Sequence, residues 1–124
     1  MEHVLTILIA DDNPSDRILL KAILSQFGHK VITAIDGQDA IDKFDPDTIE
    51  LVCLDIKMPH KDGYELIQEI RSDSSYDAIP LMVLTGRSSE KDKEEALNKG
   101  ANILRVHDVK EAVECVKLQE QLEV

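Results

Sequence analysis

Four side chains in this sequence stand where an apolar run stops and chemistry can begin. Asp11 and Asp12 follow Val4-Leu5-Thr6-Ile7-Leu8-Ile9-Ala10, Asp55 follows Ile49-Glu50-Leu51-Val52-Cys53-Leu54, and Thr85 follows Pro80-Leu81-Met82-Val83-Leu84. If these runs are parallel strands of an α/β sheet, their carboxyl ends open onto one edge and the four side chains converge in one crevice. Carboxylates at such quarters repel, by about 4 kcal/mol for a pair ~4 Å apart at an effective dielectric of roughly 20. The cluster therefore calls for a hard divalent cation bound through oxygen, and Mg²⁺ is the expected ion.

The elements that must position these residues are legible from periodicity and turn chemistry. After the first run, Asn13 is placed to cap a helix whose first position is Pro14, and Gly28 is placed to end it. Ile18, Leu19, Ala22, Ile23 and Phe27 recur at helical spacing and predict its packed face. A short strand is expected over 31–35 and a short helix over 37–44, with Ala40, Ile41 and Phe44 inward. The third strand ends at Asp55, and Met58-Pro59-His60-Lys61-Asp62-Gly63 is a loop rich in turn formers. A third helix, over 64–71, should bury Leu66, Ile67 and Ile70. The fourth strand covers 80–84. The fourth helix, 89–99, has only Ala96 and Leu97 as apolar residues and is expected to be weakly held. Gly100 ends it, a fifth strand follows over 101–106, and a last helix begins near Val109. Five strands and five helices in strict alternation, joined by short connections, specify a parallel sheet with helices on both faces.

Composition narrows the function classes. The chain has 124 residues and a formal charge of −11, enough for one domain with a real core and the wrong sign for nonspecific binding to nucleic acid or anionic membranes. Cys53 lies in a strand and Cys115 in a helix, without metal-type or redox-motif spacing, so both read as reduced core thiols. Met1-Glu2-His3 begins neither a basic region nor a long apolar stretch. With no apolar run of membrane-spanning length, a soluble cytoplasmic domain is expected.

These residues together resemble response-regulator receiver domains over essentially the whole chain. The matching pieces are Ile9-Ala10-Asp11-Asp12-Asn13-Pro14 with Arg17, Leu54-Asp55-Ile56-Lys57-Met58-Pro59 with Asp62-Gly63, Pro80 to Thr85-Gly86, and Gly100-Ala101. Each is weak alone; the ordered set at this spacing is specific. The resemblance implies a flavodoxin-like, doubly wound five-stranded parallel sheet of order 2-1-3-4-5 with five helices. It implies a phosphoacceptor signalling domain of a two-component system or phosphorelay, fed by a histidine kinase or a histidine phosphotransfer protein. On that basis Asp55 is the phosphoacceptor and Mg²⁺ is bound by Asp11, Asp12, Asp55 and the backbone carbonyl of Lys57. Thr85 would bind the phosphoryl group as a switch residue. Such a domain is not an enzyme toward a separate substrate; it catalyses only its own phosphorylation and dephosphorylation.

The sequence also departs from the family's pattern. Counting from Gly100-Ala101, the usual lysine and proline after the fifth strand are replaced by His107 and Asp108, and the usual aromatic on that strand by Leu104. These changes motivate an alternative: a receiver-fold interaction module whose output is independent of phosphorylation. A flavodoxin is disfavoured because Asp11-Asp12 repels a flavin phosphate. A haloacid-dehalogenase-type phosphatase needs an acid two residues past its nucleophile, where this chain has Lys57. In the last helix Val109, Ala112, Val113 and Val116 share one face, whereas Leu118 and Leu122 project from nearly the opposite one. That second stripe fits an output-domain or dimer contact, or a linker helix if residues 1–124 are the N-terminal receiver domain of a longer protein.

Overall fold

The computed structural model describes residues 4–84 and 90–106. Five parallel strands, β1 (Thr6–Ala10), β2 (Lys30–Ala34), β3 (Leu51–Asp55), β4 (Leu81–Leu84) and β5 (Ile103–Val106), lie side by side in the order β2-β1-β3-β4-β5. Between them run α1 (Pro14–Gln26), α2 (Gly37–Lys43), α3 (Gly63–Arg71) and α4 (Glu90–Lys99), with a 3₁₀ turn at Ser74–Tyr76 before β4. This is the doubly wound, flavodoxin-like arrangement expected. The last helix, with Cys115 and the Leu118/Leu122 stripe, lies outside the described residues.

Alternation along the strands divides the core into two layers. Leu8, Ala10, Val52, Leu54, Leu81 and Val83 point to one face of the sheet, where Ala40 of α2, Leu66, Ile67 and Ile70 of α3 and Ala96 of α4 cover them. Ile7, Ile9, Leu51, Cys53 and Met82 point to the other, against Leu20 and Leu24 of α1. All five residues of β3 are buried, as a central strand of a covered parallel sheet requires.

Helix α1 corrects the expected packing. Leu20 and Leu24 are its buried residues, whereas Ile18 is 66 % exposed and Leu19 50 % exposed, and Ala22 and Phe27 also face outward. The helix carries more leucine and isoleucine than one face can bury, so two rotations satisfy its periodicity; docking on the sheet selects one. Its start is as expected: the Asn13 side chain accepts from the N–H groups of Ser15 (2.9 Å) and Asp16 (3.2 Å), with Pro14 just inside.

Helix α4 buries Ala96 fully but leaves Leu97 half exposed, so apolar contact holds it at few points. Polar ties compensate. The Tyr64 hydroxyl reaches Asp92, and Lys99 Nζ lies 6.0 Å from the Tyr64 ring centroid.

Candidate metal centre at the carboxyl edge of the sheet

Register brings the acidic residues together. Ala10 of β1 pairs with Leu54 of β3, so the next residues, Asp11 and Asp55, leave the sheet side by side. Asp11, Asp12 and Asp55 each offer a carboxylate oxygen within 4.8 Å of the other two. Asp11 and Asp55 are nearly buried, 4 % and 6 % exposed, whereas Asp12 is open to solvent. Two covered carboxylates and an exposed one, all oxygen donors, suit a small hard cation that enters from the solvent side.

The electrostatics match this donor set. Burial pushes the Asp11 carboxyl up to about 6; the Asn13 N–H opposes that rise, and the nearby charges of Asp55, Asp16 and Asp12 add to it. A divalent ion would offset the repulsion that adds to that rise.

Local folding sets each ligand. Asp11 Oδ1 accepts from the Asn13 N–H at 2.9 Å, an Asx turn that bends the chain from strand to helix. The Asp11 N–H donates to the carbonyl of Ala34 at 3.1 Å, and its carbonyl accepts from Arg17 Nη1 at 2.8 Å. Behind Asp55 the chain folds back through a tight loop, and the Gly63 N–H donates to the Ile56 carbonyl at 2.8 Å. A Cβ on Gly63 would lie 2.5 Å from the Asp55 carbonyl oxygen and 2.7 Å from Ile56 Cα, so glycine is required for this return. Asp62 spends its carboxylate on capping α3, accepting from the Glu65 N–H while Glu65 accepts from the Asp62 N–H.

The loop is also fastened to α2. His60, at φ +65°, sets its Nδ1 2.8 Å from Asp36 Oδ2, and the Gly37 N–H donates to the Lys61 carbonyl at 2.9 Å. Lys57 is exposed and borders an open groove with Asp12, Ile56, Met58, Pro59, Asp62, Tyr64 and Asp92.

The structure thus gathers Asp11, Asp12 and Asp55, with Lys57 beside them. Thr85 and His107 lie outside the described residues, and Leu104 falls on β5. Sequence reading assigned no contact to Arg17 and overlooked the Asn13 bond to Asp11. The Asp-x-Asn spacing is itself a signal for an Asx turn and was sufficient to find the latter.

The fold, and three carboxylates at its switch edge, define the class of phosphoacceptor signalling domains built on a parallel sheet. The chain belongs to the response regulator receiver domain family, whose pattern it matches over residues 7–117. It is 38 % identical over 99 residues to the sensor protein EvgS of Escherichia coli O157:H7, a match covering 80 % of this chain but 8 % of EvgS. The chemotaxis protein CheY4 of Vibrio cholerae superposes with a TM-score of 0.82 at 26 % identity, over 93 % of this chain and 98 % of that one. The receiver domain of Saccharomyces cerevisiae Ssk1, solved with the histidine phosphotransfer protein Ypd1, shares the fold. Its TM-score is 0.74 at 23 % identity, over 83 % of this chain and 78 % of that one. Among the described residues no helix is long and apolar enough to cross a membrane.

Proposed function

We propose that Asp55 accepts a phosphoryl group from the phosphohistidine of a histidine kinase or histidine phosphotransfer protein. The observation that carries this reading is the meeting of Asp11, Asp12 and Asp55 oxygens within 4.8 Å at the carboxyl ends of β1 and β3. In the transfer an Asp55 carboxylate oxygen bonds to phosphorus, the phosphorus–nitrogen bond breaks, and the imidazole leaves with its electron pair. Asp11, Asp12, Asp55 and the Lys57 carbonyl would hold Mg²⁺, which supplies charge stabilisation to the phosphoryl oxygens. Asp11 and Asp55 are shielded from bulk water by their own burial, which strengthens every charge interaction between them. Gly63 keeps the loop close behind Asp55, so the nucleophile is held on a rigid strand end.

Thr85 completes the reading as the hydroxyl donor to the phosphoryl group, with His107 at the position where the family has lysine. The domain acts on no separate substrate. Ile18 and Leu19, exposed on the helix that begins beside Asp12, offer a partner an apolar landing next to the site. Treatment with a small phosphodonor and Mg²⁺, followed by mass spectrometry, tests the assignment. One added phosphate is expected, absent in Asp55→Asn and without Mg²⁺; an undiminished signal in that variant rejects it.

A second reading keeps the fold but makes the output independent of phosphorylation, favoured by Leu104 on β5 where the family has an aromatic. Hydrogen exchange across 86–99 with and without a phosphoryl mimic separates the two. Slower or faster exchange supports the switch, and equal exchange supports the interaction module.

A further inference from the structure

Asp11 is held on three sides, and Arg17 supplies a side-chain donor to its backbone. Its N–H is tied to Ala34 of β2, its carboxylate receives the Asn13 N–H, and its carbonyl receives Arg17 Nη1 at 2.8 Å. The circuit closes, because the Arg17 N–H donates to the Asn13 carbonyl at 3.1 Å. The Asp11 carbonyl belongs to the peptide unit joining Asp11 to Asp12, and that unit is planar. A guanidinium gripping its oxygen therefore sets the direction in which Asp12 leaves the plane. Asp12 is exposed, so little packing does this in its place.

We propose that Arg17 is a positioning residue for the metal site: it fixes the Asp11–Asp12 peptide so that both carboxylates face one cation. This rests on the reading of Asp11, Asp12 and Asp55 as Mg²⁺ ligands. The sign of the effect distinguishes it from its rivals. Arg17 is a cation near a cation site, so on charge alone its removal would tighten Mg²⁺ binding. If it merely anchors the first turns of α1, removal would lower stability and leave affinity unchanged. Positioning alone requires that affinity fall.

The experiment is calorimetric titration of the whole chain with Mg²⁺ for wild type, Arg17→Ala, Arg17→Gln and Asp12→Ala, with thermal unfolding of each without metal. Arg17→Ala should bind Mg²⁺ about tenfold more weakly, the size expected when a group that orients a metal ligand is lost. Arg17→Gln, which keeps an N–H donor without the charge, should recover part of that loss. The Mg²⁺ concentration that half-saturates phosphorylation should rise by the same factor in Arg17→Ala, with the rate at saturating Mg²⁺ nearly unchanged. Unchanged or tighter binding in a folded Arg17→Ala overturns the proposal. Should Arg17→Ala not fold, an Arg17→Gln affinity below wild type but above that of Asp12→Ala supports positioning, and an affinity equal to or tighter than wild type, or a loss as large as that of Asp12→Ala, overturns it. Wild type that binds no Mg²⁺, or Asp12→Ala that binds it as well, overturns the metal site itself and the role of Arg17 with it.

Discussion

Tyr64, in the first turn of α3, places its hydroxyl 2.9 Å from a carboxylate oxygen and 3.2 Å from the backbone carbonyl of Asp92, in the first turn of α4. Burial and then the Asp92 contact push the phenol's proton affinity well above its ordinary range, so it stays a donor. The bond joins the helix that starts beside Asp55 to one that buries little apolar surface. Tyr64→Phe should cost about 1 kcal/mol and speed amide exchange across α4 while leaving α2 unaffected. Hydrogen exchange with mass spectrometry checks this, and equal exchange in α4 would show that the contact does not hold it.

Without metal, Asp11 should make stability depend on pH with an unusual sign. Its carboxyl is raised to about 6 in the fold, above its value in the unfolded chain, so the folded state binds the extra proton. The stabilising effect of that proton is fully present below about pH 4 and is lost as pH rises through about 6, a change of about 3 kcal/mol. Asp36 and Asp73, whose carboxyls are held low, act in the opposite direction at acid pH. The comparison is therefore with Asp11→Asn, by thermal unfolding from pH 4 to 8 in chelator. The variant's gain over wild type should grow as pH rises and shrink when Mg²⁺ is added.

Asp36 does two things that substitution can separate. Its side chain caps α2 through the Asp39 N–H at 2.8 Å and meets His60, whose side chain is 75 % exposed. The backbone bond from Asp39, then the His60 contact, hold its carboxyl below the usual range. Its contribution is therefore present above about pH 4 and is lost as pH falls through its lowered value. Asp36→Asn keeps a good cap and should cost under about 1 kcal/mol, since an exposed histidine partner is well screened. Asp36→Ala should cost about 1–2 kcal/mol. Equal losses, measured by urea unfolding, would give the His60 contact the larger share.

At the opposite edge of the sheet, Arg71 gathers four acceptors from two connections, the one before β4 and the one before β5. It donates to the carbonyls of Gly100 (3.0 Å), Tyr76 (2.8 Å) and Ile79 (2.8 Å) and to Asn102 Oδ1 (2.6 Å). Asn102 Oδ1 also accepts the Leu81 N–H at 3.0 Å, so the network ties the amino ends of β4 and β5 to α3. Arg71→Ala should destabilise by about 2–3 kcal/mol, and Arg71→Lys should recover little, because an ammonium cannot span the fork. Mg²⁺ affinity should be unchanged. A parallel drop in affinity would show that the two edges of the sheet are coupled.

How much was legible in the sequence depended on whether a feature was local or a matter of register. The site could be read because a parallel sheet puts every strand's carboxyl end on one edge, so Asp11, Asp12 and Asp55 had only to follow apolar runs to be neighbours. Caps were equally open, since Asn13-Pro14 and Asp62-x-x-Glu65 act within a single turn. Periodicity could not choose the buried face of α1, where Leu20 and Leu24 rather than Ile18 and Leu19 meet the sheet. That choice belongs to the surface the helix packs on. Tyr64 with Asp92, 28 residues apart, and Arg71 with Asn102, 31 apart, are likewise products of the tertiary structure. Such pairs have no short-range pattern, because hydrogen bonds between distant segments exist only once hydrophobic burial has brought the segments into register.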